Sequence, residues 1–409
     1  MRSTLFENAR LFDGVHRDVA DGQFVLIEGN TIREVSDRPI QSQTAERIGC
    51  TGQTLMPGLI DNHVHIYLES LHLAPPEPPI TYRAQYAHKF LRHALSCGFT
   101  CVRDVGGGDH GMAMALRDGF LEGPRFYYGG LCLTQTGGHG DERPTSQPTD
   151  YCGCGGERNV FAVRADGVDE CIKAAREELR KGASHIKIMA SGGVLSPNDP
   201  LERCQYSEGE IRAIVEECAR RGAYVCAHCH PAEAIRRCAE YGVRSIEHGT
   251  LIDEPTAAYV ASTGTYIVPT LSVVFALTED GERVGIPEAA RKKLNKVHEH
   301  ALAGLEIMKR AGVKMGFGTD LLGEHHTRRG TEFSLRAEVL TPFEILHSAT
   351  AVNAEILQMT GRLGVIKPGA LADILVVQGD PLEHLGLLAE GPQHLSHIML
   401  DGRFVKRTQ

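Results

Sequence analysis

The chain has 409 residues, 42% hydrophobic and 23% charged, so it can bury a sizeable core and is neither disordered nor fibrous. Its 43 basic and 52 acidic residues leave a net charge of −9, which argues against nucleic acid or an anionic membrane as the main partner. No apolar run of about 18 residues is present to span a bilayer, and Met1-Arg-Ser-Thr-Leu-Phe-Glu-Asn8 lacks the apolar stretch of a secretory signal.

The N-terminal segment reads as short strands and turns. Phe6-Glu-Asn-Ala-Arg-Leu-Phe-Asp-Gly14 and Gln23-Phe-Val-Leu-Ile-Glu-Gly-Asn30 are apolar runs closed by hairpin signals. The C-terminal segment is alike, with Ala372-Asp-Ile-Leu-Val-Val-Gln-Gly-Asp380 and His397-Ile-Met-Leu-Asp-Gly-Arg-Phe-Val405. Neither end is long enough for a core of its own, so residues 1–55 and 361–409 are expected to join into one small β-sandwich domain.

Residues 56–360 alternate short β-branched segments with longer helical ones. The predicted strands are Thr54–Ile60, Phe99–Asp104, Arg125–Tyr128, His185–Met189, Ala223–Ala227, Arg244–Glu247, Tyr266–Pro269 and Val313–Gly318. Predicted helices include Glu170–Lys181 and Glu208–Arg221, the latter with Ser207 as N-cap and Gly222 just past its end. Such a series fits an α/β (β/α)₈ TIM-type barrel better than an open sheet, and no Gly-x-Gly-x-x-Gly follows the first strand. The long aperiodic stretch Leu131–Arg164 is expected to be a functional loop. Its Cys152-Gly-Cys154 is too closely spaced for a usual metal or redox pair and has no matching second pair. The 12 cysteines are otherwise scattered through apolar segments, which points to a reduced, cytoplasmic protein.

The 20 histidines carry the chemistry. In a barrel, reactive groups sit at the carboxyl ends of strands. Those ends read Asp61-Asn-His63-Val-His65, Ile186-Lys187-Ile188-Met189, Ala227-His228-Cys-His230, Ile246-Glu-His248-Gly and Gly318-Thr-Asp320. Strand alternation puts His63 and His65 on one side, within reach of one divalent ion. His228 and His248, from neighbouring strands, can hold a second ion, and Asp320 arrives beside the first strand. Lys187 is costly to bury as an ammonium. Converted by carbon dioxide to a carbamate (N6-carboxylysine), it becomes an anion that can bridge two ions, which in turn acidify a shared water. A His-x-His pair or a buried lysine alone is weak evidence; the order along the strands is specific.

That order, with Met56-Pro-Gly-Leu-Ile-Asp-Asn-His-Val-His65 and Gly369-Ala-Leu-Ala-Asp-Ile-Leu-Val376, resembles the amidohydrolase superfamily over essentially the whole chain. Thr134-Gln-Thr-Gly-Gly-His139, Ile186-Lys-Ile-Met-Ala-Ser-Gly-Gly193 and Gly318-Thr-Asp-Leu-Leu-Gly323 resemble its prolidase-like branch of dipeptidases, carboxypeptidases and N-acyl amino acid hydrolases. The resemblance implies one metal on His63, His65, Lys187 and Asp320, and a second on Lys187, His228 and His248. It further implies a homo-oligomer. Zinc suits these ligands, as do manganese and cobalt. Asp320 is expected to be the general base and then the acid. His139, in a Gly-Gly-His-Gly setting, and His230 are the candidates for binding substrate.

The expected function is hydrolysis of the amide bond to the C-terminal amino acid of a dipeptide or N-acyl amino acid. Position 230 is a point of departure: proline-preferring members resemble Ala-His-Ala-Tyr there, whereas this chain has Ala227-His-Cys-His230, and several relatives that cleave before basic residues carry histidine or glycine at that place. The rest of the chain favours Xaa-Pro. Gly323-Glu-His-His326 is either a pocket wall or, preferably, a solvated charge cluster. Two other readings stay open. One is a hydrolase of cyclic amides, lactones or carbamates, similar to imidazolonepropionase, which would not need a free substrate carboxylate. The other is a non-catalytic scaffold or metal-storage protein, which would hydrolyse nothing when loaded with metal.

Overall fold

The structure, a computed structural model, describes residues 3–70, 78–141, 143, 161–196 and 199–408. Cys152 and Cys154 lie outside the described residues.

The chain opens with β1 (Ser3–Leu11), β2 (Ala20–Glu28), β3 (Thr31–Ser36), β4 (Glu46–Gly49) and β5 (Gln53–Pro57). β1 pairs antiparallel with β2, and β2 with β3 through a turn whose Gly29 has φ 62°. A second set follows, with β6 (Leu59–Val64), β7 (Phe99–Asp104) and β8 (Arg125–Tyr128) in one parallel sheet. Next come β9 (Cys132–Thr134), β10 (Ala162–Arg164), β11 (His185–Met189), β12 (Tyr224–Pro231), β13 (Ser245–Leu251) and β14 (Tyr266–Val268). They form another parallel sheet in the order β10-β9-β11-β12-β13-β14.

β15 (Ile374–Gln378), β16 (Leu395–Leu400) and β17 (Arg403–Arg407) bring the chain back to β5, against which β15 runs antiparallel. Asp401 and Gly402, at φ 52° and 70°, make the tight β16–β17 turn that the Asp-Gly pair signals. Both chain ends thus meet in the order β17-β16-β15-β5-β1-β2-β3, with β4 beside β1. The pairing is one continuous eight-stranded sheet. Register shifts at Phe6–Ala9 and Ala9–Leu11 interrupt the β1–β2 ladder, the kind of irregularity that bends a strand.

Two predicted strands come out differently. Thr54–Ile60 is divided at Gly58 between β5 of the terminal sheet and β6 of the parallel set. A Cβ at Gly58 would stand 2.0 Å from Thr100 Oγ1, so only glycine lets the chain pass here from one sheet to the other. The segment 313–318 forms no regular strand; it makes one bridge, Met315 to Ile267. Its backbone is nonetheless held on both sides. Gly316 N donates to Ile267 O at 2.8 Å, Asn62 N to Phe317 O at 2.9 Å, and Asp320 N to His63 O at 2.9 Å. At the other sheet margin, Ser184 N donates to Tyr128 O at 3.0 Å, linking β8 to the start of β11.

Helices cover the parallel strands as their patterning requires. Helix Val168–Arg180 buries Cys171, Ala175 and Leu179, and helix Glu208–Arg220 buries Ile211, Ile214 and Cys218, each a stripe at helical spacing. Ser207 and Glu210 close a reciprocal capping box at the start of the second helix. No described helix is long and apolar enough to cross a membrane.

Candidate active site

The carboxyl ends of β6, β11, β12 and β13 open into one cavity of about 440 Å³, lined by His63, His65, His139, Lys187, His228, His230, His248 and Asp320. Every residue singled out for the site in the sequence is therefore at its wall. The rings are in contact along a chain: His139–His228 at 4.3 Å between centroids, His228–His248 at 4.6 Å and His63–His248 at 4.9 Å. His230 adds 4.8 Å to His228, and His65 adds 5.3 Å to His63.

His63, His65 and Asp320 offer ligand atoms that all lie within 4.8 Å of one another. Asp320 Oδ1 is 3.5 Å from His63 Nε2 and 3.4 Å from His65 Nε2. The opposite ring nitrogens are engaged. His63 Nδ1 meets Glu247 Oε2 at 2.8 Å, and His65 Nδ1 meets the Gly106 carbonyl at 3.0 Å. Since these partners accept, each Nδ1 carries the proton, which leaves the Nε2 lone pairs facing Asp320. His63 Nε2 is buried with no hydrogen-bond partner in the described structure. An orphaned nitrogen, a second free nitrogen and a carboxylate oxygen make a donor set that fits a divalent ion.

His228 and His248 sit slightly apart. His228 Nε2 donates to the Gly192 carbonyl at 3.2 Å, leaving its Nδ1 as the free lone pair, and His248 Nδ1 is 2.7 Å from Thr270 Oγ1. Lys187, on β11 opposite Cys226 of β12, is 1% exposed. No described residue gives its Nζ a hydrogen bond or an ion pair.

Burial sets the electrostatics. It holds His63, His228 and His248 well below the ordinary imidazole value, and His65, His139 and His230 down at about 3. All are therefore neutral at pH 7, the form that binds metal. Burial also lifts Asp320 to about 8, against the opposing pull of the Lys187 charge. His248 and Asp320 both have left-handed backbones, φ 71° and 53°. Such conformations are strained for non-glycine residues and persist where the surroundings enforce them.

Several contributors were not read from the sequence. Glu247 is fully buried and joins His63 to Arg103, with Arg103 Nη2 donating to Oε1 at 2.8 Å. Successive strand residues ordinarily face opposite sides. Here Glu247 and His248 both reach His63 because the backbone turns at His248. Asp61 accepts from the backbone N–H of His63 and Thr319 at 3.2 and 3.1 Å, and its other oxygen pairs with buried Arg329. His139 is set by Ser196, whose Oγ is 2.7 Å from Nδ1, and by Gln205, which accepts from its backbone N–H at 2.9 Å.

His325 and His326 correct both sequence readings of their segment. Neither lines the cavity and neither is solvated; they are 2% and 4% exposed. His325 Nε2 bonds Asp280 at 2.8 Å, and the His326 ring packs on Tyr86 and His93. The short helical turn Gly323–Arg328 folds them inward, so Leu322 reaches the cavity instead.

The chain matches the model of the Amidohydrolase family over residues 54–405. A solved amidohydrolase is 48% identical, with a TM-score of 0.95 over 99% of both chains. A solved prolidase complexed with N-methylphosphonate-L-proline is 43% identical, with a TM-score of 0.95 over 99% of this chain and 100% of that one. Ochratoxinase of Aspergillus niger is 32% identical over 370 residues, 86% of this chain and 75% of its own length.

Proposed function

We propose, from the premise that this chain belongs to the amidohydrolase family, that it is a binuclear metal-dependent hydrolase of the amide bond to a C-terminal amino acid. Hydrolysis of amide bonds in small molecules follows from the family and from the prolidase and ochratoxinase relatives. The finer reading rests on one observation: Asp320 stands 3.4–3.5 Å from two imidazole nitrogens whose other ring atoms are tied down, beside Lys187 and two further histidines in one cavity.

In this reading His63, His65, Asp320 and the Lys187 carbamate hold one ion, and the carbamate, His228 and His248 hold the other. Zinc suits the imidazole and carboxylate donors. When bound, the ions supply a Lewis acid for the amide carbonyl and bring a water near its ionisation at neutral pH. Asp320 accepts the proton of the attacking water and hands it to the leaving nitrogen, general acid–base help worth about 10²–10⁴-fold. His139 and His230 hold the substrate. Ser196 Oγ at His139 Nδ1 fixes that ring and leaves its Nε2 edge for the substrate.

The phosphonate on the proline nitrogen in the related prolidase's ligand has the tetrahedral shape reached when water adds to an N-acylproline, which favours proline as leaving residue. The same reading takes residues 56–360 as a (β/α)₈ barrel. Its two parallel sheets would be closed through the segment 313–320, with residues 1–55 and 361–409 as the small β domain. A homo-oligomeric, cytoplasmic enzyme completes the proposal.

The test is hydrolysis by zinc-loaded protein of Xaa-Pro, Xaa-Arg, Xaa-Phe and N-acyl amino acids, each beside its C-terminal amide. Free acids should be cleaved and amides left intact. Equal cleavage of both would overturn the carboxylate-reading assignment, and silence across the set would point to cyclic amides, lactones or carbamates.

A further inference from the structure

Strand β7 supplies no ligand in the proposed set, yet it ends in two fully buried charged residues, Arg103 and Asp104. Strand alternation turns them to opposite sides. Arg103 donates to Asn62 O at 2.7 Å, to Ser245 Oγ at 3.0 Å and to Glu247, the residue that holds His63. Asp104 turns instead to the loop that follows β7.

That loop carries the partner of His65. Asp104 Oδ1 accepts from the backbone N–H of Gly106 at 2.9 Å and of Gly108 at 2.8 Å, and Oδ2 accepts from the N–H of Ile66 at 2.7 Å. One carboxylate therefore joins the residue after His65 to the residue whose carbonyl accepts from His65 Nδ1 at 3.0 Å. Glycine at 106 permits the approach: a Cβ there would stand 3.1 Å from His65 Cε1 and 2.5 Å from Cys132 Sγ. Two more bonds hold the loop from outside, Gly107 N–H to Gly130 O at 2.9 Å and Cys132 Sγ–H to Val105 O at 3.2 Å. Of these anchors, only Asp104 grips both the backbone beside the His65 ring and the acceptor of that ring. Burial raises its carboxyl to about 7 against the pull of its three N–H donors.

We propose that Asp104 is a positioning residue for His65, fixing through the Gly106 carbonyl which ring nitrogen carries the proton and where the free Nε2 points. Its effect on metal binding rests on the binuclear reading above; the tautomer of the ring does not.

Asp104→Asn tests this at pH 8, where the wild-type carboxyl is ionised. An amide offers one acceptor and one donor in place of two acceptors, so at least one of the three N–H groups loses its partner. In metal-free protein labelled with ¹⁵N-histidine, His65 is assigned by its loss in His65→Gln. It should show the Nδ1–H tautomer in the wild type and a mixture of tautomers in the variant. In chelator competition with zinc, one of the two ions should bind about tenfold more weakly and the other as before, the low end of what losing support behind a ligating histidine costs. A His65 tautomer unchanged by the substitution overturns the proposal. So does zinc affinity that is unchanged, or weakened equally at both ions as a merely structural role would give. Should Asp104→Asn not fold, Gly108→Ala sets a methyl 2.7 Å from Asp104 Cγ, displaces the same carboxylate and is held to the same outcomes. If the wild type binds no zinc, the binuclear reading fails separately, and the tautomer measurement still decides.

Discussion

The polar floor of the cavity and its apolar wall are held by different forces. On the floor, directed bonds fix the reactive rings: His63 by Glu247, His65 by the Gly106 carbonyl, His228 by the Gly192 carbonyl and His248 by Thr270. On the wall, Val273, Leu277 and Leu294 are held by mutual packing. Directed bonds set tautomer and angle, which metal ligation demands. Packing sets volume and polarity, and tolerates exchange of one apolar group for another of like size. Reaction and selectivity can therefore be altered separately.

Four experiments press on that separation, beginning with the largest effect. Lys187→Ala should abolish hydrolysis and metal retention together, as read by metal analysis after dialysis. Full occupancy by two ions in that variant would sink the carbamate bridge. Next, Glu247→Gln should weaken metal binding by roughly 10–100-fold, the usual range for losing a partner behind a ligating histidine. Chelator competition measures this, and unchanged affinity would mean that packing alone orients His63. A smaller effect is expected of His139→Ala, which should raise KM or lower turnover while metal content stays intact. Loss of metal would make His139 a ligand and move it from the selective part of the site to the reactive part.

The gentlest effect near neutrality is on the metal-free protein. His65, His139 and His230 titrate at about 3 when folded against an ordinary 6.5, so the folded state binds fewer protons and stability falls as pH drops below 6.5. Asp320 runs the other way. At about 8 folded against 3.8, it holds an extra proton, and stability falls as pH rises toward 8. Tm should peak near pH 6.5 and fall more steeply on the acid side. Asp320→Asn should remove the alkaline fall, and its persistence would assign that fall to another group.

Much of this was legible because it is local. The ends of β6, β11 and β12 carry His63, Lys187 and His228, residues that strand periodicity directs to the cavity, whereas His248 on β13 joins them through the turn of its backbone. The Asp-Gly turn between β16 and β17 and the capping box of Ser207 and Glu210 are likewise written in a few adjacent residues. The junction at Gly58 was not legible, because its cause is Thr100 on another strand. The irregular backbone of residues 313–318 was hidden for a similar reason: an apolar run specifies burial, and its hydrogen bonds are set by the neighbours on either side. His325 and His326 looked like a solvated cluster because charge-rich composition says nothing of Asp280 and Tyr86 waiting beneath.

The amino-acid sequence by itself determined the alternation of elements, the family and the residues at the strand ends, since each depends on short-range periodicity and on a spaced order of side chains. Tertiary structure alone decided that Glu247 grips His63, that His248 and Asp320 are driven to positive φ, and that two helices bring Val273, Leu277 and Leu294 over the histidines. Those features join residues far apart in the chain, and no local propensity encodes a contact until packing has closed the distance.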